Sequence, residues 1–412
     1  MQRHRKNVQI YGWLLITAMV MVLRGFAAGQ QIITGNGQDG SSYEIAVPAQ
    51  WNGDLVLYAH GINDPQEPLV VPSQDSDFAP FRDGMVALGY AVASSSWSTN
   101  GYAVKDGVQR THQLKGIFVS QFGKPNRTIL IGKSLGGLVV VKLAEQYPSQ
   151  YDGVLSLCGA IGGGTPEIKY LADERAAFDY FFPGAVPGDA FHTPLLDFNP
   201  APPRPIFLSA YFALLNGFTP QQDFKTLQFA RVAKLDAISP AEIIQTALEG
   251  VGFSVRFDTD LLERTHGGIP YDNTLFNYSG TFNDATYTDA ALNAGIERFA
   301  SDPQAVNFVQ KYYDPTGNLQ IPMLTLHTVR DPRVPNFHEG IYAGLAAQAG
   351  ASGQVVQQTL DRFGHCAFGN DPNAPQGAYT DADPTLKLNA FAALAKWIAN
   401  AANKPQGGEL VP

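Results

Sequence analysis

The residues best suited to chemistry lie between positions 127 and 149, where Ser134 stands in a G-x-S-x-G motif. A short run rich in β-branched residues precedes the motif, and an apolar stripe with helical spacing follows it. Strand, motif and helix in this order form a nucleophile elbow, a tight turn that exposes a serine hydroxyl above a helix N-terminus. The residues two positions before and after the serine must be nearly side-chain-free, and they are Gly132 and Gly136. This pattern predicts that Ser134 is a nucleophile.

Two phosphate-binding motifs compete with this interpretation. Lys133 and Ser134 could end a P-loop, but that motif requires glycine where the chain has Arg127. The glycine-rich stretch 159–164 has Ile161 where a dinucleotide-binding loop needs its second glycine. Neither phosphate-binding loop is therefore expected. A chance G-x-S-x-G match is the remaining alternative, and partners further along the chain must decide against it.

Composition indicates a globular chain and excludes one class of partner. The chain has 412 residues, of which 45% are hydrophobic and 16% charged, so it can bury a large core. Its net charge of −9 argues against nucleic acid, since a phosphate-binding surface is basic. The pair His338 and Glu339 lacks the second histidine of a zinc motif, and two cysteines are too few for a structural zinc site. We expect no metal and no cofactor.

Residues 1–29 differ in character from the rest. A basic start over positions 3–6 is followed by a largely apolar run of residues 8–23 and then by small residues around Ala27, Ala28 and Gly29. This pattern predicts a secretory signal peptide, and the apolar run is short for a membrane span. Arg24 is atypical, so an uncleaved anchor stays the alternative. We expect a secreted or periplasmic protein with no stable membrane insertion after cleavage.

Strands and helices alternate along residues 31–159. Short strands are predicted at 31–34, 42–47, 54–59, 90–96, 128–131 and 153–158, and helices at 81–88, 104–122 and after Ser134. Alternation of this kind predicts a mostly parallel sheet covered by helices on both faces. Together with the elbow, this order resembles the α/β-hydrolase superfamily, and the resemblance covers nearly every segment of residues 31–159.

The alternation stops after residue 159. From 160 to 320 the sequence predicts mainly helices, with clear N-caps at Ser239 and Asp302 and a helix over 288–300. Strands resume at 322–328 and 355–360, and residues 404–412 resemble a loose tail. The resemblance implies a catalytic core formed by 30–159 and 321–412, with 160–320 inserted as a mainly helical cap before the acid-bearing strand. An unrelated domain at 160–320 is the alternative.

The resemblance also implies the partners of the nucleophile. In this fold the acid and the histidine follow the serine in that order, on loops at the carboxyl ends of late strands. Asp331 follows the predicted strand 322–328, and His365 follows the predicted strand 355–360. His365 would act as the base and Asp331 would orient it. His338 is a rival base and Asp361 a rival acid.

Two backbone N–H groups should hold the oxyanion of a tetrahedral intermediate. One belongs to Leu135, directly after the nucleophile. His60, Gly61 and Ile62 resemble the H-G-x turn of lipases and esterases, in which the residue after glycine donates, so the second donor would be Ile62. Gly61 has an alternative role, which is to permit the turn.

The two cysteines, Cys158 and Cys366, suggest a disulfide in an exported protein, and two buried free thiols are the alternative. Tannases and fungal feruloyl esterases join a cysteine before the serine to one after the histidine. This chain has Cys366 after His365 but Lys133 before Ser134, which argues against membership of that family. Cys158 ends the strand after the elbow, at the same sheet edge. We therefore predict a bridge that clamps the histidine loop.

The resemblance implies a serine hydrolase that cleaves carboxylic esters, either small molecules or polymers, through an acyl-enzyme on Ser134. Proline-type aminopeptidases, amidases and acyltransferases share the fold and the triad. A carboxylate of the cap that binds a free amino group would favour the peptidase, and Glu167, Glu174 and Glu263 are candidates. A hydrolase-like binding protein without activity is the alternative from another class.

Overall fold

The computed structural model describes residues 30–410 except 38, 71, 76–77, 194–204, 371–378 and 381–383. The predicted signal peptide over residues 1–29 thus lies outside the described residues. Within the described part of the chain, no helix combines the length and the apolar character needed to cross a bilayer.

Nine of the described strands form one sheet, in the order β1-β2-β4-β3-β5-β6-β7-β8-β11. The pairs β1–β2 and β2–β4 are antiparallel, and all other neighbours in this sheet are parallel. β9 and β10 form a separate antiparallel pair. The strands are β1 (Gln31–Asn36), β2 (Ser42–Val47), β3 (Asp54–Ala59), β4 (Ala91–Ser95), β5 (Arg127–Lys133), β6 (Gly153–Leu157), β7 (Met323–Arg330), β8 (Val355–Phe363), β9 (Gly369–Asn370), β10 (Tyr379–Thr380) and β11 (Gly408–Glu409).

The helices in the described residues are α1 (Phe78–Ala87), α2 (Val104–Phe122), α3 (Leu135–Gln146), α4 (Gly164–Phe181), α5 (Pro205–Asn216), α6 (Lys225–Val232), α7 (Pro240–Arg264), α8 (Asp289–Gly295), α9 (Pro303–Tyr313), α10 (Phe337–Gln348) and α11 (Thr385–Ala399). Successive side chains of a strand point to opposite faces of a sheet, so the central strands bury apolar residues on both sides. Leu55 and Leu57 join the hydrophobic cluster that includes Leu138 of α3. Val56 joins the opposite cluster, which includes Phe391 of α11.

The chain between β6 and β7 forms α4 to α9, and its described part contains no strand, as predicted. Ser239 caps α7, where its Oγ accepts from the Glu242 N–H at 3.2 Å, and Asp302 caps α9 in the same way. The cluster on the α3 side of the sheet continues into this helical region through Phe178 and Phe229. The division into core and cap remains a prediction.

Some predicted boundaries are wrong. The helix predicted over 288–300 ends at Gly295, because Ile296 has an extended backbone with φ −70° and ψ 143°. Beyond it, the Arg298 guanidinium donates to the carbonyl oxygens of Asn273 and Phe276 at 2.7 and 2.6 Å. The predicted loose tail is wrong at Gly408–Glu409, which pairs with β8. β7 and β8 are longer than predicted, so Asp331 follows its strand directly.

Candidate active site

Ser134 lies at the turn between β5 and α3 with φ 55° and ψ −123°, a backbone conformation that is strained for a residue with a side chain. Its N–H donates to the Leu157 carbonyl oxygen at 2.9 Å, which fixes the turn against β6. A Cβ atom on Gly132 would overlap the carbonyl oxygen of Gly136, and one on Gly136 would overlap that of Ala59. The turn can therefore form only with glycine at both positions, and the predicted elbow geometry is present.

His365 follows β8 and contacts Asp331, which follows the neighbouring strand β7. His365 Nδ1 lies 2.8 Å from Asp331 Oδ2 and 3.0 Å from Oδ1. A carboxylate can only accept, so Nδ1 carries the proton and Nε2 is left as the basic nitrogen. Asp331 Oδ1 also accepts from the backbone N–H groups of Arg333 and Val334 at 2.9 and 3.0 Å. These bonds fix the carboxylate against the imidazole.

Asp331 is buried, yet its environment favours the charged form. Burial opposes ionisation, but the attraction of His365 and of the nearby His327 imidazole outweighs it. Together these groups hold the pKa of the Asp331 carboxyl well below its usual range. Asp331 thus remains a carboxylate at any pH at which His365 could act as a base.

Ser134 and His365 face one cavity of about 1030 Å³. Its lining also includes Gly61, Ile62 and Leu135 from the strand-end loops. Leu135 begins α3, so its N–H is among those without an acceptor inside the helix. A Cβ atom on Gly61 would lie 3.3 Å from Ser134 Cβ, so the loop after β3 runs directly beside the serine. The structure thus brings the predicted nucleophile, base and both predicted oxyanion donors to one cavity.

The loop after β3 is held by an aromatic contact. The His60 ring packs against Trp97 in a tilted arrangement with ring centroids 3.8 Å apart, and its Nδ1 lies 2.6 Å from the Gly61 carbonyl oxygen. Burial lowers the pKa of the His60 imidazole. His60 therefore supports the loop from behind rather than facing the cavity, where it is not among the lining residues.

The predicted disulfide between Cys158 and Cys366 is present, with Cα atoms 5.3 Å apart, and the prediction is confirmed. Cys158 directly follows β6, and Cys366 directly follows His365, with its Sγ 3.7 Å from His365 Nε2. The bridge therefore joins the histidine loop to the strand beside the elbow. These three residues are also a cluster of possible metal ligands in the described part of the chain. Both sulfur atoms belong to the disulfide, so the cluster offers no thiolate.

The rival residues occupy other environments. The Asp361 side chain is 60% exposed and pairs with Arg330, so it does not orient His365. The His338 side chain is fully buried, and its Nε2 lies 2.6 Å from Glu167 Oε2. Gly162 N–H donates to its Nδ1 at 3.0 Å. Both ring nitrogens of His338 are therefore engaged in hydrogen bonds.

Helices α4, α5 and α7 supply the other side of the cavity. Glu167 and Arg256 line it, as does Arg333, which pairs with Glu249 at 2.9 Å. The other lining residues from these helices include four aromatic side chains, those of Phe207, Tyr211, Phe253 and Phe257. Of the three candidate carboxylates, only Glu167 reaches the cavity. Glu174 is buried elsewhere and Glu263 is exposed.

The sequence predicted no role for His327, which lies within the predicted strand 322–328, and none for Glu339. In the structure His327 Nε2 lies 3.6 Å from Asp331 Oδ2, and its Nδ1 lies 3.1 Å from Glu339 Oε1. The sequence held a weak signal for this contact, since His327 is near the end of the predicted strand and only four residues before the predicted acid Asp331. The position of Glu339 on α10 gave no comparable signal.

The model of a tannase-like family of unknown function (DUF6351) matches residues 34–185, which include the elbow. An o-phthalyl amidase of Xanthobacter agilis is 30% identical over 125 residues, which are 29% of this chain and only 25% of the amidase. An esterase of Pyrococcus furiosus aligns with a TM-score of 0.44 and 9% identity over 90% of each chain. An acylaminoacyl peptidase of Pyrococcus horikoshii aligns with a TM-score of 0.42 and 9% identity over 92% of this chain and 43% of the peptidase.

The fold class follows from the chain's own topology. A mostly parallel sheet, an elbow after β5, and an acid and a histidine after β7 and β8 are the arrangement of the α/β-hydrolase fold. The predicted α/β-hydrolase fold is confirmed. The tannase-like match fits this assignment, although this chain links its histidine loop to Cys158 rather than to a cysteine before the serine.

Proposed function

We propose that this protein is a serine hydrolase that cleaves carboxylic ester bonds through an acyl-enzyme on Ser134. The observation that carries the proposal is the single cavity faced by a serine in a strained elbow and by a histidine whose far nitrogen is bonded to a buried carboxylate. A serine hydroxyl is a weak nucleophile near neutral pH, so it needs such a base.

In the proposed reaction His365 Nε2 takes the hydroxyl proton while Ser134 Oγ forms a bond to the ester carbonyl carbon. The N–H groups of Leu135 and Ile62 hold the resulting oxyanion. The imidazolium returns the proton to the leaving alcohol, and the acyl-enzyme forms. Water then attacks, His365 takes its proton, and the acid is released with Ser134 restored. Asp331 stabilises the imidazolium in both halves of the reaction.

Amide bonds are a second candidate, favoured by one specific observation. Glu167 presents a buried carboxylate to the cavity that contains Ser134, and a carboxylate there could bind an ammonium group of a substrate. The partial similarity to an amidase supports the same direction. We keep ester cleavage as the main proposal, with the acyl or alcohol group in contact with the aromatic side chains of α5 and α7.

Export through the N-terminal segment is part of the proposal. The disulfide supports it, since such bonds persist mainly in oxidising compartments. Mass spectrometry of the protein purified from the producing cell tests this point. A mature N-terminus near residue 29 or 30 in the secreted or periplasmic fraction is expected, and a full-length cytoplasmic protein would contradict it.

The deciding experiment is mass spectrometry after treatment with a small sulfonyl fluoride. A small probe matters because the helices over the cavity could exclude a bulky one. We expect stoichiometric labelling of Ser134, lost in His365→Ala and retained in His192→Ala, which removes an exposed histidine as a matched control. If folded protein stays unlabelled, the inactive binding protein becomes the better hypothesis.

The same acyl groups should then be offered as 4-nitrophenyl esters and as 4-nitroanilides. Hydrolysis of esters well above anilides supports the main proposal, and the reverse supports the amidase. Acyl transfer to an added alcohol in preference to water would identify an acyltransferase.

A further inference from the structure

A second histidine and a second carboxylate lie beneath Asp331, and the proposed reaction does not use them. His327 is in β7 and is fully buried. Its Nε2 lies 2.8 Å from the Val334 carbonyl oxygen, and its Nδ1 lies 3.1 Å from Glu339 Oε1. Both ring nitrogens thus face groups that can only accept, provided that Glu339 is ionised.

The contacts of Glu339 support an ionised carboxylate. The Thr325 hydroxyl donates to Glu339 Oε2 at 2.6 Å, while Oε1 faces His327. A neutral His327 would direct a lone pair at one of its two acceptors, which is unfavourable in a buried site. The geometry is satisfied when His327 carries a proton on both nitrogens, as an imidazolium.

The surroundings of His327 favour the same protonation state. Burial acts to lower its pKa, but Asp331 and Glu339 outweigh burial and raise the pKa to about 10. These two carboxylates are the charged groups that face the ring, one from the loop after β7 and one from α10. Its strand neighbours bring no charge, since Thr359 is its partner on β8 and Cys158 follows β6.

His327 is connected to Asp331 through the loop as well as through space. The Val334 carbonyl oxygen accepts from His327, and the Val334 N–H donates to Asp331 Oδ1 at 3.0 Å. The histidine therefore anchors the turn whose backbone holds the orienting carboxylate. Loss of this anchor would free the turn to move relative to His365.

We propose that His327 and Glu339 are positioning residues for the active site: a buried imidazolium–carboxylate pair that fixes Asp331 and adjusts how readily His365 accepts a proton. The proposal rests on the proposed function insofar as His365 is the base. At rest the group formed by Asp331, Glu339 and His327 has a net charge of −1. Protonation of His365 neutralises it, which is the charge change that the first reaction step requires.

The first test uses the wild-type protein, labelled with 15N-histidine and followed by NMR. His327 is assigned from the signals lost in His327→Gln, and His365 from those lost in His365→Asn. Both His327 ring nitrogens are expected to be protonated at pH 7. A neutral His327 ring at that pH would overturn the proposal without any variant or substrate.

The second test measures the pKa of His365 in two variants that change the charge in opposite directions. His327→Gln leaves two carboxylates and should raise this pKa, whereas Glu339→Gln leaves one carboxylate and one cation and should lower it, each by about one pH unit. Lys133, Glu167 and Arg333 also face the cavity and are unchanged in both variants. A purely structural role would not produce opposite shifts.

Asp361→Asn is the matched control, because it removes an exposed carboxylate only four residues from His365. Solvent and salt screen that charge, so the pKa of His365 should stay within about 0.3 pH unit. If His327→Gln does not fold, Glu339→Gln alone decides, and an unmoved or raised pKa of His365 overturns the proposal. Failure to label Ser134 would instead contradict the proposed function, since the NMR readouts need no turnover.

Discussion

Two histidine–carboxylate pairs border the cavity, and they have opposite orientations. In the pair formed by His365 and Asp331, the imidazole faces the cavity and the carboxylate lies behind it. In the pair formed by Glu167 and His338, the carboxylate faces the cavity and the imidazole lies behind it. The distances are similar, at 2.8 and 2.6 Å. The same two residue types thus serve as a candidate base in one place and as a fixed acceptor in the other.

The surrounding backbone produces this difference. Two backbone N–H groups of its own turn hold Asp331 as an acceptor. Asp331 accepts the proton of His365 Nδ1, so His365 Nε2 is the unprotonated nitrogen. His338 accepts the Gly162 N–H at Nδ1, so its Nε2 carries the proton and donates it to Glu167. Which partner a backbone N–H reaches therefore decides which member of the pair is available to a substrate.

The largest effect is expected from the two histidines themselves. His365→Ala should lower both Ser134 labelling and ester hydrolysis about 10³- to 10⁴-fold, because the serine loses its base. His338→Gln should lower labelling about tenfold at most, since this histidine only supports Glu167. Rates of sulfonyl fluoride labelling measure both. Equal losses in the two variants would end the functional distinction between the pairs.

The disulfide clamps only the first pair. The double change Cys158→Ala and Cys366→Ala should lower the free energy of unfolding by about 2–5 kcal/mol, because the bridge constrains the unfolded chain. Ester hydrolysis should fall with it as the His365 loop loosens. Urea unfolding provides the measurement, and a reductant should destabilise the wild type but leave the double variant unchanged. A wild-type protein whose disulfide is fully reduced with no loss of stability would contradict this prediction.

The pH dependence of stability should report the charge of His327, which lies beside Asp331 in the pair formed by His365 and Asp331. Its pKa is raised to about 10 in the folded protein, against about 6.5 in an unfolded chain. A raised pKa adds stability that is fully present below pH 6.5 and is lost as the pH rises toward 10. We expect wild type to lose on the order of 2 kcal/mol more than His327→Gln across this window. Parallel stability curves for the two proteins would show that His327 is not charged.

The smallest effect concerns the second pair. Glu167→Gln should reduce kcat/KM about tenfold for a substrate whose acyl group carries an ammonium, and less than about twofold for its uncharged analogue. Glu263→Gln removes an exposed carboxylate of α7 and should affect neither substrate. Matched amino-acyl and acyl 4-nitrophenyl esters measure the difference. An equal loss on both substrates would mean that Glu167 has only a structural role.

Local features of the chain were predicted well because their causes are local. The elbow requires glycine at 132 and 136 for steric reasons that act within five residues. The caps at Ser239 and Asp302 depend on one side chain and the next turn of helix. The bridge between Cys158 and Cys366 is an exception, since it joins residues 208 positions apart; it was predicted because the carboxyl ends of parallel strands meet at one edge of a sheet.

Features that depend on distant partners were missed. The chain after α8 is held by Arg298, which donates to carbonyl groups more than twenty residues away, and Gly408–Glu409 forms a strand by pairing with the edge strand β8. His327 lies within a strand, where a histidine has no local signature of charge. Its state depends on Glu339, which α10 brings alongside.

The sequence by itself determined the elbow turn around Ser134 and the alternation that produces the sheet, because these depend on short-range sterics and periodic burial. The expected order of serine, acid and histidine came from the resemblance to α/β-hydrolases. Only the tertiary structure decided which carboxylate faces the cavity and which histidine lies behind it. Those assignments depend on hydrogen bonds between groups more than a hundred residues apart in the sequence, such as the bond from the Gly162 N–H to His338. No local pattern encodes them, because hydrogen bonding in a buried site is set by the groups that folding brings together.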